Sequence, residues 1–223
     1  MIKKAQQLPV LSEPTAQGIK VRNIFRCYPQ EVYVQDEGKA FISLLDGDAV
    51  IENVDADFEE LRSFLDFVKP VSLFSDASTI KKLGYKSYQK ANVLMKKGCV
   101  CDTPSSDKLK SDRVYELLKM GGFKLPEYEF FATDFCRRQN MGALNCFAIK
   151  DKCLAITLIA DDACLLNGIV STKKGFGTVA LNGALNQNAD RVMLVCCEDN
   201  LKEFYLKNGF SYVYEAGYVL EDV

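Results

Sequence analysis

Histidine is absent from the 223-residue chain. Its absence removes imidazole from every mechanism open to the chain: there can be no Ser-His or Cys-His nucleophile pair and no histidine metal ligand. Any acid or base must be Asp, Glu, Tyr, Cys or Lys. Charge of one sign is equally scarce, with 28 Lys and Arg against 30 Asp and Glu and a net charge of -2. No global positive field exists to hold nucleic acid or an anionic membrane, so any phosphate recognition has to be local. No apolar run approaches the ~18 residues that a bilayer span needs. The N-terminus MIKKAQQLPVLSEP also lacks a long apolar segment after its lysines. These absences predict a cytoplasmic chain with no nucleic-acid and no membrane partner.

Cysteine is plentiful. Nine are present, an odd number that cannot all pair internally, and with no signal peptide they argue for a reducing compartment. Cys146, Cys153 and Cys164 lie inside apolar runs, where a thiol behaves as a small hydrophobe. Cys99-Val100-Cys101 and Cys196-Cys197 are close pairs, but no C-x-x-C exists, so no metal site is expected. A hydrophobic content of 48% is ample for a core.

Along the chain, Met1 to Gly18 reads as an extended arm and Val32 to Val34 as a short strand. Lys39 to Leu45 and Ala49 to Val54 flank Asp46-Gly47-Asp48, a hairpin signal. Phe58, Leu61, Phe64, Leu65 and Val68 share one helical face, with Asp55 or Asp57 as cap and Pro70 as stop. A strand Val71–Phe74, a short helix Ala77–Leu83 and a strand Ser87–Met95 follow, giving the order β-β-α-β-α-β. Cys99 to Asp107 is a polar, Pro-containing stretch, so the expected division is a domain over 1–98, a linker over 99–107 and a second domain over 108–223.

The second domain opens with helices over Lys108–Met120, ending at Gly121-Gly122, and Glu127–Arg138. Strands Leu144–Ile149 and Lys152–Ile159 turn at Lys150-Asp151, and Asp161-Asp162 leads into a strand from Ala163 to Val170. Next come a loop, a helix opening near Thr178, a strand Val192–Cys196, a helix Leu201–Asn208 ending at Gly209, and a strand pair over Ser211–Leu220. The halves form an internal repeat. Lys39–Val54 lines up with Lys152–Asn167, and Lys82-Leu83-Gly84-Tyr85 with Lys207-Asn208-Gly209-Phe210. Ala49 to Gly84 spans 35 residues and Ala163 to Gly209 spans 46, so the first copy is shorter by 11, a shortage expected at the glycine loop.

That loop is Thr172-Lys173-Lys174-Gly175-Phe176-Gly177. Two glycines between a strand and a helix N-terminus let backbone N–H groups converge on one point, where the helix dipole favours an anion. Lys173 and Lys174 add formal charge, unless they are merely solvated, and a plain β-to-α turn is the structural alternative for the glycines. The first copy has Asp55-Ala56-Asp57 at this place, negative charge where an anion would sit, so only the second half is expected to bind.

The combined order in Lys108–Val223 resembles the GNAT family of acyl-CoA N-acyltransferases. Thr172 to Gly177 is similar to the family's Gln/Arg-x-x-Gly-x-Gly/Ala loop, departing from it at Thr172. Asn200 to Phe210, NLKEFYLKNGF, resembles its late helix, with Tyr205 four residues before Gly209-Phe210. The resemblance implies an α/β (or α+β) fold with a mixed, mostly antiparallel twisted sheet flanked by helices, preceded by a degenerate half-copy. It implies acetyl-CoA as cofactor, its pyrophosphate on the N–H groups of Lys174, Gly175, Phe176, Gly177 and Thr178, with Lys173 a further cofactor-binding residue. The pantetheine would pair along Leu165–Val170, including Ile169 and Val170, with Asn200 a further contact. A backbone N–H near Gly168 or Ile169 would polarise the thioester, and Tyr205 would be the general acid for the leaving thiolate, the alternative for Tyr205 being a core aromatic beside Phe204. The acceptor implied is a primary amine of a small molecule or peptide. A CoA-binding module without turnover and a homodimer both stay open.

Overall fold

The computed structural model describes residues 1–11 and 13–220. In chain order the elements are β1 (Ile2–Lys4), α1 (Ala16–Cys27), β2 (Val32–Gln35), β3 (Ala40–Leu45), β4 (Asp48–Asn53), α2 (Phe58–Val68), β5 (Ser72–Asp76), α3 (Ala77–Lys82) and β6 (Gln89–Lys97). They continue with α4 (Ser111–Met120), α5 (Tyr128–Asn140), β7 (Leu144–Ile149), β8 (Cys153–Ala160), β9 (Ala163–Ser171), α6 (Phe176–Gln187), β10 (Val192–Cys197), α7 (Asp199–Lys207) and β11 (Ser211–Leu220). Two compact units are formed: Met1–Leu94 with Cys196–Val223, and Met95–Val195.

In the first unit the strands neighbour one another in the order β1-β2-β3-β4-β5-β11-β6. The pairs from β1 to β4 are antiparallel, β4 and β5 are parallel, and β5 and β11 antiparallel. Asp57 starts α2, its carboxylate accepting from the amides of Glu59 and Glu60, and Lys69, left-handed at φ 47°, ends it before Pro70. The face so created buries Leu61 and Leu65 against Ile42, Ala49, Ile51, Leu73 and Leu83. In the second unit the order is β10-β9-β8-β7. Every residue of β8 is buried, with both α4 and α6 packed against it, which is why this strand reads as a continuous apolar run without alternation.

In its elements and their alignment the structure departs from the sequence expectation as follows. The arm is short, because α1 starts at Ala16, with Thr15 Oγ1 accepting from Gly18 N at 3.0 Å. Ser211–Leu220 is one continuous strand rather than a pair. The hairpins repeat, but their turns fall at Asp46-Gly47 and Asp161-Asp162, so aligning Lys39 with Lys152 is two residues out of register. A slip of two keeps every side chain on its own sheet face, so the hydrophobic pattern does not register it. With the turns superposed, Asp48 lies 24 positions before its parallel partner Ser72, and Ala163 lies 29 before Val192. Ser72 to Gly84 is 12 positions and Val192 to Gly209 is 17. The second copy therefore gains five residues around the glycine loop and five more around α7.

Candidate functional site

Strand β9 follows β8 over its whole length but follows β10 for only four residues, Ala163 to Leu166 against Val192 to Val195. At that point the register against β8 shifts: Thr157 faces Leu166 and Ile156 faces Gly168, leaving Asn167 as the extra residue of a β-bulge. A bulge bends its strand and raises the local twist, and β9 parts from β10 at this residue. Beyond it, Asn167 to Ser171 has no described partner on the β10 side, so its outward N–H and C=O groups are open to an extended ligand. Gly168 is buried under Phe123 and Leu118, where an added Cβ would meet atoms at 3.4 and 3.6 Å. Gly121, just past α4, lies so close to Val170 that a Cβ there would approach to 2.6 Å.

The loop after β9 is fixed by its own hydrogen bonds. Thr172 N donates to Lys152 O at 2.9 Å, Thr172 Oγ1 to Asp151 O at 2.7 Å, and Ser171 Oγ to Lys173 O at 2.6 Å. Thr172 thus anchors the loop to the β7–β8 turn. Gly175 is the N-cap of α6 at φ 87°, a left-handed conformation that glycine adopts without steric cost, and no side chain caps the helix. The amides of the first turn, Gly177 and Thr178 among them, therefore face outward at the positive end of the dipole. Lys173 and Lys174 are exposed beside them, and the Lys152 ammonium lies 5.4 Å from the Phe176 ring centroid.

The equivalent place in the first half is closed. The Asp57 carboxylate occupies the first amides of α2, and Glu59 and Glu60 add negative charge. Where β4 outruns its pairing with β5, Ser75 Oγ donates to Ile51 O at 2.9 Å and Asn53 Nδ2 to Thr79 Oγ1 at 3.0 Å. The gap there is bridged by the protein itself.

Ile169, Val170 and Lys173 to Thr178 are thus one continuous piece of the second unit. Tyr205 and the exposed Asn200 are carried by α7, in the first unit. Tyr205 is 3% exposed, its ring 5.1 Å from that of Phe204 and 5.6 Å from that of Phe210. Burial, helped by the neighbouring Cys197 and Cys196, raises its phenol well above the ordinary value and keeps it protonated. The thiols are poor nucleophiles for the same reason: burial pushes Cys164 and Cys196 up to about 12 and Cys197 to about 11. Glu198 Oε1 accepts from Gln89 at 3.0 Å and Asp199 Oδ1 from Asn92 at 2.7 Å, so both carboxylates hold β6 to the start of α7. Asp161 and Asp162 form an exposed hairpin turn. The bulge at Asn167 was not foreseen from sequence, although a lone glycine inside a strand, Gly168, is the usual mark of one.

Among solved structures the chain is similar to a GCN5-related N-acetyltransferase from Sphaerobacter thermophilus, with a TM-score of 0.54 and 11% identity over 84% of this chain and 78% of that one. It is also similar to an acetyltransferase from the GNAT family of Colwellia psychrerythraea, with a TM-score of 0.53 and 11% identity over 99% of this chain and 100% of that one. The chain has the GNAT fold. No protein-family model and no curated protein sequence matches it. The GNAT fold here rests on backbone geometry, with the mixed, largely antiparallel sheet and flanking helices expected for it.

Proposed function

We propose that the chain is an acetyl-CoA-dependent N-acetyltransferase acting on a primary amine of a small molecule or peptide. The observation that carries this reading is the continuity between the freed edge of β9 after Asn167 and the uncapped N-terminus of α6. An extended ligand ending in a pyrophosphate suits that pairing, since the strand edge offers hydrogen bonds to amides and the helix start offers them to phosphate. Lys173, Lys174, Gly175, Phe176, Gly177 and Thr178 would hold the pyrophosphate, and Ile169 and Val170 the pantetheine, with Asn200 a further contact. Bound acetyl-CoA supplies the acetyl group as an activated thioester.

The acceptor nitrogen attacks the thioester carbon directly, the C–S bond breaks, and the amine proton leaves to water or an acceptor group. Burial holds the thiols of Cys164, Cys196 and Cys197 protonated, so none of these three is activated to form an acyl-enzyme, which supports direct attack. A backbone N–H near Gly168 or Ile169 steadies the developing oxyanion, an interaction contributing ~3 kcal/mol where it is preorganised. Tyr205, protonated at neutral pH, gives its proton to the departing sulfur. Among the described residues no helix is long and apolar enough to cross a membrane, and the net charge of -2 suits an amine acceptor better than an anionic polymer.

Calorimetry with acetyl-CoA tests the site. Gly177→Glu places a carboxylate where the first half carries Glu59 and should abolish binding; unchanged affinity sinks the assignment. Tyr205→Phe should keep binding and lower thiol release against an amine panel by on the order of 10²-fold or more. A second reading, a module that holds CoA without turnover, draws on Glu198 and Asp199 being engaged in hydrogen bonds to Gln89 and Asn92. It predicts binding without thiol release in the wild type.

A further inference from the structure

Cys99-Val100-Cys101 lies outside the site described above and belongs to the second unit. The chain is pinned on either side of it. Before it, Gly98 N donates to Arg191 O at 2.7 Å, and a Cβ on Gly98 would fall 2.2 Å from Asn188 O. After it, Thr103 Oγ1 accepts from Asn186 Nδ2 at 3.4 Å. Between these anchors the backbone is irregular and the two sulfurs stand 3.3 Å apart, with Cys101 Sγ also 3.7 Å from Cys99 O. Both thiols are partly exposed and Val100 between them is 85% exposed, so a small reagent reaches the pair. Cys27, Cys153, Cys164 and Cys197 are buried instead, and Cys136 is exposed on α5 without a described sulfur neighbour.

We propose that Cys99 and Cys101 form a reversible dithiol, oxidised to an intrachain disulfide by a small-molecule disulfide of the glutathione class and reopened by a thiol. One thiolate attacks a sulfur of the oxidant, whose S–S bond breaks and releases one thiol. The second thiolate then attacks the protein sulfur of the mixed disulfide and expels the other thiol. The protein loses two electrons and two protons, and the oxidant becomes two thiols. Contact between the sulfurs makes the second step fast, since the resolving thiol is already beside the mixed disulfide. Closing 3.3 Å to a bond of about 2.05 Å asks only for a local adjustment in a segment without helix or strand.

The full chain is equilibrated with oxidised glutathione and its tryptic peptide running from Gly98 to Lys108 is weighed. The wild type should lose the mass of two hydrogen atoms, carry no glutathione, and recover its mass with dithiothreitol. Cys101→Ser should instead hold one glutathione on Cys99, and Cys99→Ser one on Cys101. A monoaryl trivalent arsenical, which needs two neighbouring thiols, should be retained by the wild type and by neither variant. Stable glutathione adducts on the wild-type peptide overturn the proposal. So does a peptide that stays reduced while Cys136 is modified.

Discussion

Arg22 and Glu52 face each other in the first unit with side chains only 8% and 11% exposed, at 2.5 Å. Arg22 Nε donates to Pro9 O at 3.1 Å and its Nη1 to Gly18 O at 3.2 Å, so the guanidinium is held from the arm as well as from its own helix. Gly18 leaves the room, since a Cβ there would sit 2.5 Å from Glu52 Oε1. Removing one partner of a buried pair strands the other charge, which costs more than the pair contributes. Glu52→Ala should therefore lower unfolding free energy by about 3–5 kcal/mol. Arg22→Met combined with Glu52→Leu should recover most of the loss. Urea unfolding of the wild type and the two variants checks this, and a cost for Glu52→Ala below about 1 kcal/mol, the range of exposed pairs, contradicts it. The same residues explain why α1 was not legible in the sequence. Nine of its twelve residues are buried, and Gln17, Arg22 and Asn23 are among them, so polar residues occupy positions where a periodicity reading expects apolar ones. The readable signal was Thr15 as cap.

At the scale of elements, α6 connects the glycine loop to the core of the second unit. Gly183 lies against Phe147 of β7, where an added Cβ would fall 2.4 Å from three ring atoms. Ala has the better helix propensity by about 1 kcal/mol, so an unfavourable result for Gly183→Ala would isolate the packing. Overpacking of this kind costs about 1–3 kcal/mol, so the net change should be destabilising or near zero, and Phe147→Leu in the same chain should turn it favourable. Thermal melts of the single and double variants decide; a gain in the single variant excludes the tight contact. The far end of α6 is fixed by a buried polar network: Asn188 Nδ2 donates to Ala184 O at 2.9 Å and Thr157 Oγ1 at 3.3 Å, and its Oδ1 accepts from Asn145 at 3.1 Å. The stretch 99–107 reads as a linker from its polarity, yet Asp107 N donates to Ala148 O at 2.8 Å and Asp107 Oδ2 accepts from Lys150 N at 2.7 Å. Its polar groups hold it along β7, and composition alone does not distinguish a solvated linker from one that shields an edge strand.

For the whole molecule, the order of elements was readable because hairpin turns, caps and glycine stops are local signals, and both halves carry them. The membership of the units was not. The segment after β10 follows the second half in sequence, yet β11 pairs antiparallel with β5, Ala216 to Leu220 against Asp76 to Ser72. A strand satisfies an open edge equally well from either half, so no local pattern records which edge it takes. One property belongs to neither half alone. Burial raises Cys146, Cys164 and Cys196 from an ordinary 9.0 to about 12. Below pH 9 the thiols are protonated in both folded and unfolded chains, and the stability associated with them is fully present. Between 9 and 12 the unfolded chain releases protons that the folded chain keeps, so stability must fall as pH rises. Each fully shifted thiol contributes a slope of about 1.4 kcal/mol per pH unit in that window. Tyr205 and Tyr214, raised by the same burial, add to the slope above 10. Denaturant unfolding through the window should show the decline beginning near pH 9. Cys164→Ala should lower stability at neutral pH through the lost packing and flatten the alkaline slope by up to one proton; an unchanged slope would show that this thiol is already ionised in the folded chain.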